Sequence, residues 1–67
     1  MSRDQEMLEA QLREVYKDIY KLKVEYAKNE DSHTKKKIKK EIKNKQYQAM
    51  FYREKINNLI REEEENL

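Results

Sequence analysis

The sequence contains no glycine, no proline and no cysteine among its 67 residues. Without cysteine there is neither a disulfide scaffold nor a thiolate zinc site, and nothing points to export. Without glycine, none of the glycine-rich loops that cradle nucleotide phosphates can be built. A chain lacking both turn-formers and rich in Glu, Lys, Gln, Leu and Ile reads as all-α. Long apolar runs are missing too. The longest is Ala49-Met50-Phe51-Tyr52, so neither a membrane span nor a signal peptide is expected.

Histidine occurs once, as His33. Its neighbours Asp31 and Ser32 complete the residue types of a triad, but contiguous residues on a turn cannot present that geometry. The run Glu62-Glu63-Glu64-Glu65 reads as a solvated helix end. No enzyme is expected, and with it no cofactor, metal or small-molecule substrate.

What the chain has in abundance is charge: 45% of residues are Asp, Glu, Lys or Arg, with a net charge of only +2. Such a composition often leaves a chain disordered, because too little apolar surface is available to offset the entropy of ordering. The apolar residues here are periodic, however, and that favours order. Leu8, Leu12, Val15, Ile19, Leu22 and Tyr26 alternate in steps of four and three, an unbroken a/d heptad seam with Leu12, Ile19 and Tyr26 at a. A second seam runs through Ile38, Ile42, Lys45, Ala49, Tyr52, Ile56 and Leu59, interrupted only by Lys45. The two are out of phase. Extending the first would bury His33, Lys40, Glu54 and Arg61, which excludes a single straight rod.

Folding the chain at Ser32 pairs the seams. Each seam residue then meets the one whose number brings the sum to 64: Tyr26 with Ile38, Leu22 with Ile42, Ile19 with Lys45, Val15 with Ala49, Leu12 with Tyr52, Leu8 with Ile56, and Gln5 with Leu59. Every a position opposes a d position, the layering of an antiparallel coiled coil. The expectation is one helical hairpin over residues 1–67, with helices over 3–28 and 34–64 and a turn at 29–33. Asp31 and Ser32 are the best N-cap residues there.

A lone hairpin needs apolar residues only along its seam, yet this one has more. Tyr16, Tyr20, Val24 and Ala27 form a stripe beside the first seam, at heptad positions e and b and on to f. Tyr47, Met50 and Ile60 do the same on the second helix, with Phe51 just beyond. In an antiparallel pair both e flanks lie on one side, so these residues share a face. The g flank carries Asp4, Gln11, Asp18 and Glu25 opposite Glu41, Gln48, Lys55 and Glu62. An apolar face on a chain this short calls for a cover, and self-association supplies one without disulfide or metal. A homodimer of hairpins, a four-helix bundle, is expected.

Charge divides along the same fold. Residues 17–45 hold eleven lysines against five acids, a charge of +6; the remainder holds five basic residues against nine acids, a charge of −4. The turn end concentrates Lys35, Lys36, Lys37, Lys39, Lys40 and Lys43, a candidate surface for an anionic partner. It contains no arginine, the residue that reads guanine edges and forks phosphates best. Nucleic acid bound here would be held by backbone charge, with little sequence preference. The lysines do not segregate opposite a broad apolar face, so a membrane surface is not expected. The pattern therefore suggests a small cytoplasmic, non-enzymatic interaction or regulatory protein that dimerises and binds another protein; the alternative is a phosphate-contacting hairpin. Lys45, at d opposite Ile19, should lay its stem across the seam and project its ammonium outward.

Overall fold

A computed structural model describes residues 3–65. It consists of two helices, α1 (Arg3–Lys28) and α2 (Ser32–Glu65), of 26 and 34 residues, packed side by side as a hairpin. The Cα trace measures 54 × 14 × 12 Å, so the molecule is a rod two helices wide.

The seam follows the heptads. Val15, Ile19, Ile38, Ala49 and Ile56 are buried, as is Gln5, while Leu8, Leu12, Leu22, Tyr26, Ile42, Lys45, Tyr52 and Leu59 are half-buried. Val15, Ile19 and Ala49 form the centre of the core, with Leu12, Ile42 and Tyr52 packed on it. Ala49, the smallest of these side chains, is also the most deeply buried, and bulky Tyr52 packs beside it on the same cluster. Gln5 belongs to the open end of the seam, where its Nε2 donates to Glu9 Oε1 at 3.3 Å.

The turn is shorter than the sequence suggests. Only residues 29–31 link the helices, and α2 begins at Ser32 instead of Thr34 because Asp31 takes the N-cap. Its Oδ2 accepts from the Thr34 backbone N–H at 3.2 Å and from the Thr34 hydroxyl at 2.6 Å, while its carbonyl accepts the first helical bond from Lys35 N–H at 3.0 Å. On the other side, Asn29 N–H donates to the Glu25 carbonyl at 3.1 Å and extends the α1 ladder by one bond. No described residue has a positive φ, so the chain reverses without the left-handed residue that glycine usually supplies.

This start leaves Lys35 as the last residue of the first helical turn, Ser32–Lys35, and moves Lys36 and Lys37 into the second. The helix-dipole penalty on cations falls off within one turn, so their position costs less than the later start implied.

Candidate interaction surface

Along the e and b positions, the described side chains leave an apolar band in solvent. Tyr20 is 70% exposed, Met50 62%, Tyr47 60%, and Tyr16 45%, with Ile60 and Phe51 also exposed. Ala27 is exposed at the turn end, whereas Val24 is half-buried. Tyr16 and Met50 come together across the helix pair. They line one shallow groove with Lys23, Gln46 and Arg53, floored by the seam residues Ile19 and Ala49. Tyr47 and Met50 continue round α2 to Phe51 in a second shallow depression with Arg53, Glu54 and Asn57. Phe51 thereby sits at the far edge of the band, its ring edge-on to Tyr52 at 5.9 Å and under the Lys55 ammonium at 4.7 Å.

The amount of exposed surface is consistent with the thin core. The accessible area is 5880 Å², while a compact monomer of 8.3 kDa exposes about 4,600 Å². A rod two helices wide covers only one side of each helix, and no described side chain is completely buried.

The opposite flank is less polar than its g residues imply. Met7, 59% exposed, lines a groove at the open end with Leu8 and Leu59, rimmed by Asp4, Lys55 and Asn58. Met7 stands at position c, outside both the seam and the e stripe. Only the juxtaposition of the two d-position leucines turns it into part of a surface.

At the turn end, Lys36, Lys37, Lys39, Lys40 and Lys43 are exposed and, among the described residues, make no ion pair. Lys35 differs. It is half-buried, with its ammonium over the Tyr26 ring at 5.1 Å, closing the end of the seam instead of standing free at the tip. Lys45 crosses the seam as its heptad position requires, and its Nζ lies 3.4 Å from Asp18 Oδ2 on the g flank.

Asp31, at the start of α2, has a displaced pKa. The Thr34 hydroxyl holds its carboxyl below the usual carboxylate value, helped by the Thr34 and His33 backbone N–H groups. His33 is exposed beside it. Among the described residues no three His, Asp or Glu side chains converge as a metal site requires, and no helix is long and apolar enough to cross a membrane. No protein-family model matches the chain, and no similar curated protein or solved structure is found.

Proposed function

We propose that this chain is a small cytoplasmic helical-hairpin protein of the interaction or regulatory kind, which acts without catalysis by self-associating and binding another macromolecule. The observation that carries the reading is the exposed band of Tyr16, Tyr20, Tyr47, Met50 and Ile60 along one side of the hairpin. Large apolar side chains gathered on one exposed face are costly to leave in water and are the usual mark of an interface. A second hairpin laid on this strip makes a four-helix bundle, the arrangement in which both helices of each copy gain a second covered side. Sedimentation velocity at two concentrations a hundredfold apart tests it. A dimer mass is expected at the higher concentration, and a monomer at both removes the use assigned to the band.

A second reading is favoured by the five exposed lysines without ion pairs at the turn end. They suit an anionic polymer contacted through its phosphates. Binding of random-sequence duplex or RNA at 50 mM salt is its test, and no binding there rules it out.

A further inference from the structure

We infer that the occupant of the apolar band is a second copy of this chain laid antiparallel, the turn end of each hairpin beside the open end of the other. This rests on the self-association proposed above and adds its direction. Along the rod, the heptad pairing sets residue n of α1 about level with residue 64 − n of α2, and the cluster of Val15, Ile19 and Ala49 with Leu12, Ile42 and Tyr52 and the contact of Lys45 with Asp18 agree with it. On that scale the band, from Ala27 to Ile60, centres near the level of Tyr47, which is also the middle of the hairpin. A twofold axis there overlaps the two copies over their whole length. Two helices ~10 Å thick, side by side over ~40 Å, offer about 800 Å² per copy, the size of an ordinary stable interface. A parallel pairing reaches the same area, so size alone does not choose.

The flanking charges do choose. Interspersed with the band at the same e and b positions, the turn half of the two helices carries Lys23, Lys36, Lys39 and Lys43 and no acid. In the open half, Glu6, Glu9 and Glu64 outnumber Arg13 and Arg53. A parallel pair sets four lysines against four lysines; an antiparallel pair sets them against the acidic end. Like charges brought together at an interface are strongly selected against, whereas complementary ones set its orientation.

The ends of α2 point the same way. Its last turn holds no basic residue and ends in Glu62-Glu63-Glu64-Glu65, although acids are disfavoured at a helix C-terminus. Its first turn holds no acid, although acids are favoured there. The acidic end is unfavourable for the helix taken alone, and the α1 start beside it, with Asp4 and Glu6 against Arg3, offers little basic counterpart; the lysine-rich turn end of an antiparallel copy supplies one.

The chain has no cysteine, so Glu30→Cys introduces a unique attachment point in the exposed link without touching the band. Nitroxide labels there are measured by double electron–electron resonance at a concentration where sedimentation gives a dimer. The antiparallel pair places the two labels about 40 Å apart, from roughly 26 residues of helical rise, and a parallel pair places them within about 20 Å. The longer distance is the expected result. A dimer with the short distance overturns the antiparallel arrangement and leaves self-association standing. A monomer at every concentration overturns both, and an assembly larger than a dimer overturns the antiparallel pair.

Discussion

Lys45 is a core residue along its stem and a surface residue at its end. Its ammonium meets Asp18 at 3.4 Å with both side chains about a third or more exposed, a setting in which an ion pair contributes ~0–1 kcal/mol. A leucine in the same place, packed opposite Ile19, contributes ~1.5–3 kcal/mol by burial. Lys45→Leu should therefore stabilise the hairpin by about 1 kcal/mol and raise its melting temperature by circular dichroism; a clear fall would contradict a seam position for this residue. Asp31 presents the opposite case, a fully exposed group whose role is local. Its carboxylate is favoured in the folded state by the Thr34 hydroxyl, so its pKa is lower folded than unfolded. The contribution of the cap is thus fully present above the ordinary value of 3.8 and is lost as pH falls through the lowered one. Asp31→Ala should lower the melting temperature at pH 7, and its difference from the parent should be smaller at about pH 2, where protonation of the carboxylate weakens the cap. An unchanged difference at the two pH values would remove the charged cap as its cause.

Adjacent residues of one helix separate what holds the hairpin from what it offers. Ile19 is buried against Ala49 and its neighbours, while Tyr20, one residue on, is 70% exposed. Ile19→Ala should cost ~2–4 kcal/mol at any protein concentration, since it leaves a gap that a core this thin cannot refill. Tyr20→Ala should leave the monomer as stable as before and weaken only association, a contrast that thermal melts paired with sedimentation can read. The distinction was legible in the heptads because burial in a two-helix pair depends on angle around the axis alone. All fourteen seam positions, including Gln5 and Lys45, are buried or half-buried where the spacing placed them. What the heptads could not settle was the turn. Asp31 and Ser32 are both good caps, and the choice fell to the residue whose oxygen could reach Thr34, which started α2 two residues early. Nor could they show Lys35 folded over Tyr26 or Met7 made part of a groove by Leu8 and Leu59, because both depend on how the helix ends meet across the pair.

For the whole molecule, the deciding quantity is how stability responds to concentration. A monomeric hairpin melts at the same temperature however dilute it is, whereas a dimer that unfolds to two chains gains stability by mass action. Two 67-residue chains unfolding together absorb about 94 kcal/mol near 60 °C at ~0.7 kcal/mol per residue, so each tenfold rise in concentration should raise the melting temperature by about 5 °C. Over a hundredfold range the shift is roughly 10 °C, well above the error of a melt monitored at 222 nm. The same experiment on a Tyr47→Glu, Met50→Glu variant should abolish the shift while keeping the helical signal, because both positions are exposed in the hairpin and belong to the face that the proposed dimer would cover. A shift that survives the double substitution would place the interface elsewhere, with the groove around Met7 the next surface to change. The charge division adds a further condition. If five lysines engage phosphates at the turn end, affinity should fall several hundredfold between 50 and 200 mM salt, at ~0.9 counterion per contact. A dimer held by the apolar band should weaken far less over that range, since burial of tyrosine and methionine does not depend on screening. Salt therefore separates the two proposed uses of the molecule within one preparation.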